Sequence, residues 1–208
     1  MKRMSLWIFL AVFLPLALGV IYFTIQVRKR SQNIFNEYAS GKNLIVTKES
    51  GYLLGRGLYQ EIPFTLHERW TNRFPFPAIT LKLKNHQFEL VLCPRDEFTP
   101  SGWNITFATA TGILENIKTG DAEFDSFMYI ASNKKETLPV ILTEHRRKII
   151  LDVFKKAKVA SYAPRRSVMI QIKDGNATYM EAADGGMTSA MAERMNTMLA
   201  LFTEINEL

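Results

Sequence analysis

One uncharged run near the start of the chain constrains its fold more than any other feature. From Met4 to Val27 there are twenty-four residues without Asp, Glu, Lys, Arg or His. About 20 apolar helical residues cross the hydrocarbon core of a bilayer, where an open backbone finds no hydrogen-bond partners. The run therefore predicts one transmembrane helix within residues 1–30. Basic residues flank this anchor on both sides: Lys2, Arg3, Arg28, Lys29 and Arg30.

A cleaved signal peptide is the alternative to an anchor. Ala17, Leu18 and Gly19 offer small residues at a spacing suited to cleavage, after a short basic start and an apolar stretch. The apolar run nevertheless continues past this point to Val27, so an uncleaved signal-anchor is the favoured interpretation. The sequence alone leaves open whether the segment is cleaved.

The positive charge of the chain is concentrated at this run. The formal net charge of +6 comes from 26 Lys and Arg against 20 Asp and Glu. Without the five flanking basic residues the balance is 21 against 20, so residues 31–208 carry a net charge of +1. A nearly neutral domain argues against nucleic acid as a partner. The expected partners are the lipid bilayer, through residues 4–27, and a protein partner or a second copy of the chain.

Charge and cysteine content also bear on where the domain lies. Two basic residues precede the run and five follow it within about 20 residues, a bias that favours a cytoplasmic domain. The single Cys93 excludes an intrachain disulfide, which fits a reducing compartment. The short Met-Lys-Arg tail resists translocation and so favours the opposite orientation, with the domain outside. The prediction is a single-pass protein of the cell membrane (the inner membrane in a bacterium), with a domain in the cytoplasm as the favoured of the two orientations.

The rest of the chain has the size of one domain. Residues 31–42 are polar and end in Ser40 and Gly41, which predicts a juxtamembrane linker. Residues 43–208 then form a single domain. Because its predicted strands come in series instead of alternating strictly with helices, the pattern predicts an α+β fold with a mainly antiparallel sheet packed by two helices.

Alternating apolar residues predict two hairpins. The first joins residues 79–83 to residues 88–92 through a turn at Asn85 and His86, and it places Leu81 opposite Leu90. The second follows the alternating residues 168–173 and turns at Asp174 and Gly175, a pair typical of hairpin turns. Further strands are predicted at residues 44–47, 103–109 and 124–131.

Two helices are predicted in the second half of the domain. One is capped by Thr143 and runs to about Lys158. The other follows Gly185 and Gly186, with Ser189 as a cap. Its apolar stripe recurs at helical spacing: Met191, Met195, Met198, Phe202 and Ile205. The stripe predicts packing on the domain's own sheet, with a partner helix as the alternative.

The sequence holds no recognisable catalytic constellation. Its three histidines and Cys93 do not stand at metal-ligand spacing, and there is no nucleophile elbow, phosphate loop or His-Glu-x-x-His motif. Cys93 ends an apolar stretch, which indicates a buried, inert thiol. No cofactor and no bound metal are predicted, and an enzyme is the less favoured class.

One group of carboxylates could still carry chemistry. In an extended segment Asp121, Glu123 and Asp125 would project from one face, where they could bind a divalent cation or hold a raised pKa for proton transfer. This is the candidate acidic site. The simpler interpretation is a solvated turn that leads into a strand.

An apolar stretch supplies a candidate partner patch. Phe74 and Phe76 alternate with prolines, and Trp70 precedes them closely in the sequence. Exposed together, these rings would mark an interaction site. Packing of the same rings into the core is the alternative.

The acidic segment also carries a resemblance. The element Gly120-Asp121-x-x-Phe124-Asp125, followed by a helix that opens near Leu142, resembles one found in uncharacterised bacterial membrane-anchored domains of unknown function. The resemblance covers about residues 115–180. It implies a bacterial membrane protein and supplies neither an activity nor a catalytic residue.

Three functions follow from these patterns. The leading hypothesis is a non-enzymatic binding or scaffolding domain at a membrane surface. The first alternative is a membrane-tethered, cation-dependent hydrolase that uses the candidate acidic site. The second alternative is a binder of lipid or of another envelope component, in an apolar groove between the sheet and the last helix.

Overall fold

The computed structural model describes residues 2–71, 74–84, 88–95, 115–160, 168–181 and 186–208. The helices are α1 (Lys2–Gly41), α2 (Ala122–Phe127), α3 (Leu138–Ile141), α4 (Glu144–Ala160) and α5 (Ser189–Asn206), and a 3-10 turn covers Lys135–Thr137. The strands are β1 (Ile45–Glu49), β2 (Tyr52–Tyr59), β3 (Ile62–Thr71), β4 (Phe74–Lys82), β5 (Leu90–Pro94), β6 (Glu115–Asn116), β7 (Met128–Ser132), β8 (Val168–Lys173) and β9 (Asn176–Glu181).

The strands form one sheet in the order β1-β2-β3-β4-β9-β8-β5-β7-β6. Every pairing in it is antiparallel. Helices α4 and α5 contact each other and pack on one face of the sheet, where α5 contacts β4 and β9 and α4 contacts β8. The predicted α+β class, with an antiparallel sheet packed by helices, is confirmed.

The second predicted hairpin is confirmed as β8 and β9. Ile172 pairs with Ala177 and Lys173 with Asn176, which leaves Asp174 and Gly175 at the turn. Both turn residues have positive φ, at 50° and 69°, as a type I′ turn requires. The inward residues of both strands are buried, so the alternation of the sequence sets the register.

The first predicted hairpin is wrong. β4 pairs with β3 and β9, whereas β5 pairs with β7 and β8, so the β8–β9 hairpin separates the two strands that were expected to pair. Leu81 lies opposite Ala177, and Leu90 lies opposite Ile172 and Ser132. Both leucines are nevertheless buried in one core. The alternation therefore indicated the buried face of each strand correctly, although it indicated the wrong partner strand. The expected turn at residues 85–86 lies outside the described residues.

The other predicted strands have mixed outcomes. β1 covers most of the predicted segment 44–47. Residues 103–109 lie outside the described part of the chain. The segment 124–131 is helical in α2 up to Phe127 and extended only from Met128, because Asp121 caps a helix at this point.

Both predicted helices of the domain are confirmed. α4 begins directly after Thr143, whose hydroxyl accepts a weak hydrogen bond from the Arg146 amide at 3.4 Å. α5 is capped one residue earlier than expected, since the Thr188 hydroxyl accepts from the Met191 amide at 3.2 Å. The predicted stripe of α5 is buried on the domain's own sheet.

The prediction of a transmembrane anchor is wrong. α1 is one helix of 40 residues, and its described side chains between Phe13 and Ile25 are exposed. Within the described part of the chain, no helix combines the length and the apolar character needed to cross a membrane. This finding overturns the predicted single-pass location in a cell membrane.

The segment predicted as a linker continues α1 to Gly41. Four of its residues are buried: Ser31, Phe35, Tyr38 and Ala39. Phe35, Tyr38 and Ala39 join the same core as the sheet and α5. The C-terminal quarter of α1 is therefore part of the domain's packing.

Candidate functional site

The Gly-Asp-x-x-Phe-Asp element builds a tightly held loop before α2. Gly120 has a φ of +86°, a conformation that favours glycine. Asp121 caps α2, because its Oδ1 accepts a hydrogen bond from the Phe124 amide at 3.1 Å. The Phe124 side chain is buried in the core. The first three defined residues of the element, Gly120, Asp121 and Phe124, thus have structural roles.

Asp125 closes this loop from the other side. Its Oδ1 accepts hydrogen bonds from the Thr119 amide at 2.9 Å and from the Thr119 hydroxyl at 2.8 Å. Its Oδ2 accepts from the Gly120 amide at 2.9 Å. The carboxylate therefore fixes the backbone of residues 119–120 directly.

The three carboxylates of the candidate acidic site do not converge. Asp121 accepts from Arg147 Nε at 3.0 Å, and Glu123 accepts from Lys155 Nζ at 2.7 Å. The amide of Phe124 and the guanidinium of Arg147 hold the pKa of the Asp121 carboxyl below its usual value. Among the described residues, no group of three or more His, Cys, Asp or Glu is arranged to hold a metal ion. The geometry gives these acids partners within the fold.

Replacing Asp125 with alanine is expected to lower the free energy of unfolding by about 1–3 kcal/mol, because two backbone amides lose a charged acceptor. The matched control is Asp152→Ala, since Asp152 is 59% exposed and its carboxylate pairs with Lys156 one turn away. That control is expected to cost less than about 0.5 kcal/mol. Urea denaturation of both variants measures the difference, and equal costs would contradict the role of Asp125 as a tether.

A cavity of about 280 Å³ lies between this loop, α3 and the start of α4. Burial divides its lining into an apolar wall, three of whose four residues are buried, and a polar rim, whose residues are exposed or half-buried. The apolar wall consists of Ile117, Leu138, Pro139 and Leu142. The polar rim consists of Lys118, Thr119, Lys135, Thr143, Glu144 and Arg147.

Two arginines brace this cavity. Arg147 joins α4 to the loop, since its Nε binds Asp121 and its Nη1 donates to the Leu142 carbonyl at 2.7 Å. Arg146 donates to the carbonyls of Val140 and Ile141, at 3.0 and 3.3 Å. The short helix α3 is thereby fixed against α4. The cavity walls are held by hydrogen bonds that do not depend on a ligand.

A second cavity of about 350 Å³ adjoins the first along Lys118. Its lining is polar except for Ala122: Arg95, Lys118, Asp125 and Ser126 complete it. Arg95 donates from Nε to the Asp125 carbonyl at 2.6 Å. Lys118 is the residue that the two cavities share.

Sequence reasoning missed the basic residues of this site. Lys118 precedes Gly120, the first residue of the Gly-Asp element, by two positions, and Lys135 opens the 3-10 turn before α3. Both lysines are exposed at the rim of the first cavity. The sequence already places Lys118 close to the element. Lys135 and Arg147, in contrast, come near it only through the tertiary structure.

The remaining candidate residues lie elsewhere. Cys93 is buried in β5, as predicted. The side chains of Trp70 and Phe74 lie outside the described part of the structure, and Phe76 is half-buried, so the candidate partner patch stays a prediction. Lys2 and Arg3 have no described side chains, whereas the basic flank after the run is exposed on α1: Arg28, Lys29 and Arg30.

Two buried polar clusters, one that includes Arg194 of α5 and one that includes Ser31 of α1, were also missed. Glu181 binds Arg194 through both carboxylate oxygens, at 2.9 and 2.5 Å, and accepts from the Tyr179 hydroxyl at 2.7 Å. Glu68 accepts from the Ser31 hydroxyl at 2.7 Å. These side chains are nearly inaccessible to solvent and lie apart from the cavities. Their arrangement indicates a structural role.

Comparison with known proteins shows one shared fold. No protein-family model matches this chain, and no curated protein matches it. A solved structure, that of the mycobacterial trehalose monomycolate transport factor A, is similar over 86% of this chain and 93% of its own length. The TM-score is 0.51 and the sequence identity is 8%. At that identity, what the chain shares with the transport factor is its fold.

Proposed function

We propose that this chain is a non-enzymatic binding protein that takes an amphiphilic envelope component into the cavity between α3, α4 and the loop before α2. The single observation that carries the proposal is the two-sided lining of this cavity. Ile117, Leu138 and Leu142 offer an apolar wall, and lysine and threonine side chains surround the opening. An amphiphile needs this combination of an apolar surface and fixed polar groups.

The size of the cavity and the fold likeness support the same proposal. A volume of about 280 Å³ is close to the lower end of the roughly 300–1,000 Å³ of ligand pockets, which suits the head and the first part of a chain. The similar solved structure is that of a transport factor for trehalose monomycolate. Because the candidate acids are held in structural contacts, the geometry favours binding over cation-dependent hydrolysis.

Photo-crosslinking tests this proposal. The purified chain is mixed with a phosphatidylcholine that carries a diazirine on one acyl chain, and labelled peptides are mapped by mass spectrometry. We expect label in residues 117–119 and 138–143, and we expect unlabelled lipid to compete for it. Label confined to the exposed apolar residues of α1, between Phe13 and Ile25, would contradict the proposal.

A pair of variants sharpens this test. Pro139→Glu places an exposed carboxylate in the lining and is expected to reduce labelling by at least about fivefold, because a bound acyl chain would have to strip water from that charge. Val140→Glu is the matched control, since Val140 is 55% exposed, adjacent in sequence and not part of the lining. Equal labelling of the two variants would count against the cavity as the binding site.

A further inference from the structure

The rim of the first cavity carries positive charge that its own carboxylates do not neutralise. Three cationic residues line it, Lys118, Lys135 and Arg147, against the single carboxylate of Glu144. Glu144 is already paired with Lys148, at 2.6 Å. The lining therefore holds more positive charge than the carboxylates paired with it neutralise.

The two lysines are the source of this excess. The guanidinium of Arg147 forms an ion pair with the Asp121 carboxylate, with Nε 3.0 Å from Oδ2. Lys118 and Lys135, in contrast, have neither a hydrogen bond nor an ion pair from their ammonium groups within the described part of the chain. Each ammonium keeps three N–H donors for a ligand. Two unneutralised cations at the mouth of one cavity favour an anion there.

We propose that Lys118 and Lys135 bind an anionic phosphate group at the mouth of the first cavity, as the head of the amphiphile. This proposal rests on the proposed function and names the ligand's charge. The apolar wall takes the chain side of the ligand, and the ammonium groups take the phosphate oxygens as point charges. The first turn of α4, a helix of 17 residues, lines the same cavity and adds the positive end of its dipole.

The second cavity does not compete for this role. Its arginine, Arg95, donates to the Asp125 carbonyl, and Ala122 is the one apolar residue among its described lining residues. Lys118 alone is common to both cavities. The phosphate group is therefore assigned to the cavity that holds both free ammonium groups.

Isothermal titration of the full chain tests the proposal with three probes. These are dihexanoyl phosphatidylglycerol, dihexanoyl phosphatidylcholine and inorganic phosphate, each lipid kept in monomeric form. The two lipids have the same chains and differ in head charge. We expect the anionic lipid to bind about tenfold more tightly than the zwitterionic one at low salt, and this preference to shrink at high salt.

Two double variants locate the preference. Lys118→Gln with Lys135→Gln is expected to reduce the preference to within about twofold, since both unneutralised charges are gone. The control, Lys156→Gln with Lys173→Gln, removes the same charge from exposed residues outside both cavities and is expected to keep the preference. Thermal unfolding of each variant checks that the fold is intact. Equal loss in both pairs would overturn the proposal, because net charge alone would then explain it.

The remaining outcomes separate this proposal from the proposed function. Equal binding of the two lipids would overturn the anion site and leave the amphiphile cavity standing. Binding of inorganic phosphate alone, lost in the Lys118 and Lys135 variant, would support the anion site and overturn the amphiphile. Absence of binding by all three probes would overturn both.

Discussion

Replacing Arg194 with methionine is expected to lower the free energy of unfolding by about 3–5 kcal/mol, because the Glu181 carboxylate would be left buried without a cation. Glu181 is 3% exposed and Arg194 is 7% exposed. Methionine fills much of the volume of the arginine stem, so the variant isolates the loss of charge from the loss of packing. Urea denaturation followed by circular dichroism measures the effect.

The Tyr179 hydroxyl is the other side-chain donor to the Glu181 carboxylate. Burial and, after it, the Glu181 carboxylate raise the pKa of Tyr179 well above its usual value, so the phenol keeps its proton and donates it to Glu181. With Arg194 present, the carboxylate has three donated hydrogen bonds from two side chains. Without it, only the tyrosine remains, which is insufficient to stabilise a buried negative charge.

Arg56 provides the matched control for this prediction. Its guanidinium also binds one carboxylate through two nitrogens, at 2.7 and 3.3 Å from Glu49. The Arg56 and Glu49 side chains are however 56% and 50% exposed. Arg56→Met is therefore expected to cost less than about 1 kcal/mol. Equal losses of unfolding free energy in the two arginine variants would show that burial does not determine how much the Arg194–Glu181 pair contributes to stability.

Local signals in the sequence predicted local structure well. Asp174 and Gly175 fix a two-residue turn by their positive φ, and alternating burial in β8 and β9 follows from it. The stripe of α5 is likewise a property of one segment, and its burial is confirmed. These elements carry their information within about 20 residues, so one sequence was enough to identify them.

Pairings between distant segments were not predictable in the same way. β4 and β5 each present apolar residues on one face, and that pattern is satisfied by any partner of matching alternation. The sheet places the β8–β9 hairpin between them, a choice that depends on segments about 100 residues apart. The same limit hid the cavity, since Lys118, Lys135 and Arg147 meet only after the sheet and α4 are in place.

The long uncharged run shows a different limit. Its composition suggested an anchor that ends at the basic flank, but a sequence window does not show where a helix ends. In the structure the same helix continues through residues 31–41 and buries Phe35 and Ala39 in the domain's core. The buried Glu68 and Glu181 were missed for a related reason, because charged residues in strands are usually exposed.

Contacts at Gly186 join α1 to the segment that precedes α5. The Ser31 hydroxyl donates to Glu68 Oε1 and accepts from the Met187 amide, both at 2.7 Å. Gly186 has a φ of +83°, and a Cβ built on it would collide with the Ser31 hydroxyl and lie 2.6 Å from Glu68 Oε1. Only glycine leaves room for this three-way contact.

Replacing Gly186 with alanine is expected to lower the free energy of unfolding by about 2–5 kcal/mol, the sum of the left-handed backbone penalty and the loss of buried hydrogen bonds. Gly120→Ala is the matched control, because Gly120 has nearly the same φ, +86°, but nothing within 4 Å of an added Cβ. It is expected to cost only the backbone part, about 1–2 kcal/mol.

Hydrogen exchange should also accelerate in residues 31–41 of the Gly186 variant alone, since the contact that holds this part of α1 is disturbed. The double variant with Ser31→Gly should cost less than the sum of its parts, because removing the serine side chain relieves the collision. Equal losses for the Gly186 and Gly120 variants, with unchanged exchange in α1, would show that the collision is absorbed elsewhere and that this contact does not hold α1 to the domain.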